Sequence, residues 1–167
     1  MRTIGAVFAG WLSLTACGTS TEVSGTMQGN TLQAKEAISF VSGSTALIYV
    51  TDYTGACSVA AANEFKASSQ DLSFFVEASD AGTYYYGLSS PSALFNAQYE
   101  QRDATCSLHG QESPLAGLLT LTHVDGSGVA GSFDLFMGSA GTDHVTGSFS
   151  ATNCPGLDRL RLDAGCQ

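Results

Sequence analysis

The sequence predicts an all-β fold: a single antiparallel up-and-down barrel or sandwich of about 8–9 strands with one short helix. Nearly every segment alternates apolar and polar residues with a period of two, which is the pattern of strands that bury one face. Runs rich in β-branched and aromatic residues are separated at regular spacing by Gly, Asn, Asp and Ser. The composition agrees, because Lys and Arg together number only 6 beside 19 Gly, and helical bundles draw heavily on Lys, Arg, Glu and Leu.

The N-terminal half predicts three strands and the helix. Residues 21–27 and 31–41 flank Gln28-Gly29-Asn30 and predict a hairpin. A turn at residues 42–44 then leads into STALIYVTD, a run of strong β-formers. The alanine-rich stretch 55–65 is the helical candidate, about two turns long.

Six further strands are predicted, with a loop containing Gly110 and Pro114 before the last three: residues 71–78, 82–88, 92–102, 117–124, 129–137 and 144–151. In the last two strands the unit Val-x-Gly-Ser-Phe recurs, beginning at Val129 and Val145. Alternation places Gly131 and Gly147 on the core face. Glycine inside a strand indicates a bend or a close approach, so both residues fit a curved sheet.

The chain begins with a short hydrophobic segment that ends at a cysteine. Arg2 precedes an apolar run over residues 4–14, which is shorter than the 20 or so residues of a membrane-spanning helix and is typical of a secretory signal. The following Leu14-Thr15-Ala16-Cys17 resembles the lipobox of bacterial lipoproteins. This resemblance, which covers the first tenth of the chain, implies that residues 1–16 are removed and that Cys17 is acylated. An ordinary signal peptide cleaved near a cysteine is the alternative.

The same resemblance implies a location and a domain organisation. Lipoproteins retained on the inner membrane carry Asp after the cysteine, whereas this chain has Gly18, so the outer membrane is expected. Residues 17–24 would be the lipidated N-terminus and a short tether, residues 25–154 the β domain, and residues 155–167 a C-terminal tail. In addition, residues 117–154 resemble small uncharacterised all-β bacterial lipoproteins that end in a Val-Thr-Gly-x-Phe hairpin followed by a cysteine, which implies an architecture but no activity.

Net charge limits the partners of the mature chain. Removing Arg2 leaves 5 basic against 15 acidic residues, a charge of −10, which excludes a nucleic-acid-binding surface. Anionic lipid headgroups would also be repelled, so membrane attachment is expected through the acyl chains on Cys17. The acidic residues are scattered singly, as on an ordinary solvated surface. An envelope protein, a glycan or a small apolar ligand remains as the expected partner.

Four cysteines follow Cys17, and an even number in an exported chain predicts two disulfides. Successive strands of an up-and-down sheet end at alternate rims. Of the seven strands counted from Thr45, Cys57 follows the first, Cys106 the fourth and Cys154 the seventh. This parity predicts the pairs Cys57–Cys154 and Cys106–Cys166, and the alternative is a local Cys154–Cys166 bridge with Cys57–Cys106.

Motifs for catalysis, metal binding and cofactor binding are absent from the sequence. It contains no G-x-S-x-G, no H-E-x-x-H, no glycine-rich phosphate loop and no C-x-x-C. His109 falls in a predicted loop and His144 in a turn, whereas His123 shares an alternating face with Leu119 and Leu121 and is expected to be partly buried. We therefore expect no catalytic residues, no metal and no cofactor.

Tyr84, Tyr85 and Tyr86 are the best candidates for recognition. Consecutive residues of a strand point to opposite faces, so at least one ring must face outward, where tyrosine stacks on sugars or on proteins. The expected function is a non-catalytic binding module of the envelope. The alternative is a calycin-like barrel carrying a small apolar ligand, favoured by small core residues that leave room: Ala34, Gly131, Gly147 and Ala151.

Overall fold

The protein is described here by a computed structural model covering residues 21–77, 80–86, 95–160 and 164–167. The strands in these ranges are β1 (Glu22–Gly25), β2 (Glu36–Ser42), β3 (Thr45–Thr51), β4 (Glu64–Phe65), β5 (Gln70–Val76), β6 (Gly82–Tyr86), β7 (Phe95–Arg102), β8 (Leu108–Glu112), β9 (Pro114–Asp125), β10 (Gly128–Met137), β11 (Asp143–Asn153) and β12 (Gly165–Cys166). One short α-helix, α1 (Ala56–Ala61), and a 3₁₀ turn at Leu157–Arg159 complete the described elements. The prediction of an all-β fold with one short helix is confirmed.

Nine strands form one curled sheet, a half-barrel, in the order β6-β9-β10-β11-β2-β3-β5-β7-β8, and β1 pairs with β11. The sheet is mixed rather than purely antiparallel, because β11 and β2 run parallel. Only Ser113 separates β8, at one edge, from β9, beside the other edge. A single stretch of chain therefore connects the two sides of the half-barrel.

The predicted hairpin around Gln28-Gly29-Asn30 is wrong, although a tight turn is present. Met27 and Asn30 exchange two backbone hydrogen bonds of 2.8 and 2.9 Å. The flanking segments do not pair with each other, since β1 pairs with β11 and β2 pairs with β3 and β11. The physical reason is burial: Met27 and Leu32 are fully enclosed in the core of the half-barrel, which draws the segment between β1 and β2 inward.

Two segment assignments also change. β8 occupies part of a predicted loop: LHGQE contains one apolar residue and no alternation, and its extended form depends on pairing with β7. The sheet also begins at Glu22, inside the predicted tether, because β1 pairs with β11 from that residue onward. At Gly25, whose φ is +107°, a side chain would collide with the carbonyl oxygen of His144, so glycine is required for this close pairing.

Aromatic rings fill the concave side of the sheet. The centroid of Phe74 lies 5.2 Å from Phe133, 6.0 Å from Phe149 and 6.3 Å from Phe95. Gly131 and Gly147 face this side as predicted, but a Cβ atom at Gly147 would collide with the ring of Phe133. The Phe133 and Phe149 rings occupy the space that these glycines were expected to leave for a ligand.

A second apolar cluster covers part of the opposite side of the sheet. It packs α1 and the 3₁₀ turn against β2 and β3, and its buried members are Ile38, Ala56, Ala60, Cys154 and Leu157. The Glu36 carboxylate accepts hydrogen bonds from the backbone N–H groups of Gly55 and Ala56. These bonds satisfy donors at the start of α1 that have no partner within the helix.

Two disulfides, Cys57–Cys154 and Cys106–Cys166, hold this covering layer in place, with Cα–Cα distances of 5.5 and 5.6 Å. The predicted pairing is confirmed, but the parity that predicted it is wrong. β3 and β7, which precede Cys57 and Cys106, run in the same direction because both are antiparallel to β5. β11, which precedes Cys154, runs opposite to β3. Cys166 reaches Cys106 because β12 folds back alongside β4.

Candidate functional site

The three consecutive tyrosines of β6 divide between the two sides of the sheet, as predicted. Tyr84 is buried in the core and its hydroxyl donates to the Asp80 carbonyl. Tyr86 is half-buried and meets Phe95 edge-on, with ring centroids 5.7 Å apart. Tyr85 points outward and is 43% exposed. Tyr85 is therefore the one member of the predicted trio that is well placed to contact a partner.

Tyr85 belongs to a continuous surface on the outward side of β6, β9, β10 and β11. Cross-strand partners point to the same side of a sheet, so the strand register places them in three rows. We call this surface the outer face. Its first row is Thr83, Thr120, Ser132 and Ser148, its second row is Tyr85, Leu118, Asp134 and Thr146, and its third row is Ala116, Phe136 and His144.

The outer face is poor in charge and carries large exposed nonpolar side chains. Asp134 is the one acidic residue in the three rows, which contain no Lys or Arg, and Glu22 of β1 adjoins the first row as the cross-strand partner of Ser148. Leu118 and Phe136 are 40% and 44% exposed. Leu115, which is 53% exposed, adjoins the face because a register shift separates the pairs Phe136–Ala116 and Met137–Pro114. Depletion of charge and enrichment of aromatic side chains are typical of protein contact surfaces.

A hydrogen bond and a ring stack organise the centre of the outer face. Nε2 of His144 lies 2.7 Å from Oδ1 of Asp134, and the His144 ring stacks on Phe136 with centroids 4.6 Å apart at 12°. Both members of the His144–Asp134 pair are about half exposed, so the pair contributes little to stability. The pair gives Asp134 a hydrogen-bond partner, His144, on the same face.

The other histidines stand apart from this centre. His123 was predicted to be partly buried with Leu119 and Leu121, and this is wrong, because its side chain is 54% exposed and lies 3.0 Å from Asp125. The register passes from Ala130–His123 to Gly131–Leu121. This β-bulge at Thr122 reverses the alternation and turns His123 outward. His109 is exposed on β8.

A cleft of about 680 Å³ lies between β1 and the segment 32–34. Leu32, Ala34 and Phe133 supply apolar lining, whereas Glu22, Gln33 and Asp134 contribute polar groups, so the cleft borders the outer face at Asp134. The mixed lining could accept a small molecule at the surface of the half-barrel. This cleft lies outside the filled concave core.

A nearly enclosed acidic cluster lies on the outward side of β5 and β7. Asp71 is 6% exposed and stands opposite Glu100, whose carboxylate pairs with the Arg102 guanidinium. The guanidinium also lies 3.5 Å above the centre of the Phe65 ring and donates to the Cys106 carbonyl. Burial, with the like charge of Glu100 adding to it, raises the pKa of Asp71 to about 8.

Two atoms of this cluster are buried without a hydrogen-bond partner among the described residues: Oδ1 of Asp71 and Nε of Arg102. An unpaired buried polar atom costs stability. Because Asp71 is protonated near neutral pH and covered by its neighbours, the cluster bears on stability more than on binding.

Sequence reasoning left Leu118, Asp134, Phe136 and Asp71 out of the candidate residues. Alternation did place Phe136 on the polar side of β10, and one large apolar residue among Ser132 and Asp134 was the available signal. Nothing in the sequence near Asp71 indicates burial beside Glu100 and Arg102 of β7, about 30 residues away in the chain. Cys17, the predicted lipidation site, lies outside the described residues.

In the ranges that the structure describes, no group of three or more His, Cys, Asp or Glu side chains could hold a metal ion. None of the helices in those ranges has the length and apolar character needed to cross a membrane. Neither a family model, nor a curated protein, nor a solved structure matches this chain. Its function is therefore argued from its own residues.

The buried Asp71 carboxyl predicts a pH-dependent stability. Its pKa is 3.8 in a solvated chain and about 8 in the folded protein, so the folded state keeps a proton that the unfolded chain loses between these values. The free energy of unfolding should therefore fall as pH rises from about 4 to about 8, by up to about 1.4 kcal/mol per pH unit. Outside this interval the contribution of Asp71 is constant.

The Asp71→Asn variant removes this titration. We expect it to be more stable than the wild type at pH 7.5, and the difference should shrink towards zero near pH 4, as measured by urea unfolding. Asp80→Asn, at an exposed position, is the matched control and should follow the wild-type profile. Parallel pH profiles for Asp71→Asn and wild type would contradict the assignment.

Proposed function

We propose that the protein is a lipid-anchored, non-catalytic interaction module of the bacterial envelope, held at the outer membrane by Cys17, and that it makes contact through the outer face. The observation that carries this proposal is the distribution of charge. A mature chain of charge −10 leaves a three-row surface with a single carboxylate and exposes Tyr85, Leu118 and Phe136 there.

The position of β1 supports the anchoring half of the proposal. The lipobox-like Leu14-Thr15-Ala16-Cys17 ends five residues before Glu22, where β1 begins. Several acyl chains on Cys17 would give firm attachment, whereas one chain alone is marginal. Gly18 in place of Asp favours the outer membrane, as the resemblance to lipoproteins implies.

The chemistry of the outer face supports the binding half. A partner that covers Leu118 and Phe136 removes apolar area from water, which is favourable at ~25 cal/mol per Å². Its contact would desolvate only one carboxylate, Asp134, which already has His144 as a partner.

The second candidate function is a carrier for a small apolar ligand. The observation in its favour is the cleft between β1 and the segment 32–34, with Leu32, Ala34 and Phe133 in its lining. One-to-one binding of an apolar fluorophore that is lost in Ala34→Trp would support the carrier. Unchanged fluorophore binding by Ala34→Trp would count against this cleft.

Replacing Cys17 with Ser tests the anchor. The thioether cannot form, so we expect either an unprocessed precursor or a protein released from the membrane fraction. Detergent partitioning and intact-mass spectrometry of wild type and Cys17→Ser are the measurements, and Cys57→Ser/Cys154→Ser is a control that removes two other cysteines, with their disulfide, without touching the lipobox. A wild-type protein whose mass shows no added acyl groups would contradict the proposed lipid anchor. The same detergent partitioning for Cys17→Ser and wild type would also contradict it.

Photo-crosslinking in intact cells tests the contact surface. With benzoylphenylalanine in place of Leu118, we expect crosslinks to an envelope component, because this side chain lies at the centre of the outer face. The same probe in place of Leu108, which is comparably exposed on β8 (46% against 40%), should give few. Equal crosslinking from both positions would show that the outer face is not the contact surface.

A further inference from the structure

We propose that the outer face rests on the lipid bilayer in which Cys17 is anchored, so that its partner is the membrane surface itself. This inference rests on the lipid anchor proposed above, and it names the partner of the same face.

The short connection to Cys17 limits how far the face can be from the bilayer. Five residue steps separate Cys17 from Glu22, which is ~17 Å of backbone at full extension. β1 pairs with β11, and β11 pairs with β10, so Phe136 lies two strands from the attachment strand, ~10 Å at the usual spacing. The anchor therefore keeps the bilayer within reach of the face.

The exposed side chains suit a shallow contact with lipid. Leu115, Leu118 and Phe136 offer apolar groups to the boundary of the acyl chains, whereas Tyr85 combines an apolar ring with a polar hydroxyl. Tyrosine is enriched at this depth in membrane proteins for that reason. The surrounding Thr and Ser hydroxyls can hydrogen-bond to headgroups.

Low charge makes the outer face compatible with a lipid surface, and the length of the tether distinguishes it from the other exposed parts of the sheet. An acidic chain is repelled by anionic headgroups, and the outer face presents only Asp134, already bonded to His144. Phe75, on the outward side of β5, is a second exposed phenylalanine (39%). It is four strand steps from β1 through β11, β2 and β3, so the short tether favours the outer face over the surroundings of Phe75.

The mature chain is expected to contain no tryptophan, so it gives no background emission in a tryptophan fluorescence test. The one tryptophan of the full sequence, Trp11, lies in the segment expected to be removed. Phe136→Trp and Phe75→Trp therefore each introduce a unique reporter at matched exposed phenylalanines. The acylated proteins are purified from membranes, verified by intact mass, and reconstituted into phosphatidylcholine vesicles with or without brominated acyl chains, which quench tryptophan on contact.

In brominated vesicles we expect F136W to lose roughly half of its emission and F75W to keep its emission, because only the first ring would lie at the acyl boundary. Leu118→Trp is a second reporter on the same face, should F136W fold poorly, and it should be quenched like F136W.

Equal quenching of F136W and F75W, or no quenching of F136W and L118W, would overturn the bilayer contact. If the intact mass shows that Cys17 is acylated, the proposed lipid anchor is retained, and only the proposed contact between the outer face and the bilayer is wrong. An unmodified mass, or tryptophan emission from wild type through retained Trp11, would overturn the anchor together with this inference.

Discussion

Burial of Met27 and Leu32 is the constraint on which the rest of the half-barrel depends. A curled sheet needs side chains to fill its concave side, and here the segment between β1 and β2 supplies two that are fully buried. Hydrogen bonds hold the turn at 27–30 in place: Gln28 bonds to Gln111 and Glu112 of β8, and Gly29 to Asp143 of β11. The interior is thus filled by the chain itself, which is why the proposed binding surface lies on the outside of the sheet.

The outside of the sheet is divided into a covered and an uncovered part. α1, the 3₁₀ turn and the C-terminal segment cover β2 and β3, and the disulfides Cys57–Cys154 and Cys106–Cys166 hold that cover. Asp71 is buried on this outward side, among Glu100, Arg102 and Phe65, at a cost to stability near neutral pH. Among the described residues, the cluster formed by these elements includes no member of the outer face, which leaves that face available to the proposed partner.

The local pattern of apolar and polar residues correctly predicted the strands that alternate strictly. It failed for features that depend on contacts between residues far apart in the chain. Phe133 and Phe149 were placed inward correctly because β10 and β11 each keep one apolar face. His123 was misplaced because a single bulge at Thr122 reverses the alternation, and no turn residue marks the bulge. The parallel pairing of β11 with β2 joins segments more than 100 residues apart, and pairing over such separations leaves no local signal. The disulfide partners were predicted correctly from a strand count that gave β3 and β7 opposite directions, whereas both are antiparallel to β5, so that agreement does not validate the count.

The burial of Met27 can be measured directly, because Met27 and Met137 are the two methionines that follow Cys17 in the sequence, and both are fully buried. Methionine methyl groups labelled with ¹³C would be observed by NMR while a soluble gadolinium chelate is added. If the segment between β1 and β2 fills the half-barrel, both methyl signals are protected to the same extent, with Met137 of β10 as the internal reference. Strong relaxation of the Met27 methyl beside a protected Met137 would show that the interior is open and would contradict the assignment of binding to the outer face.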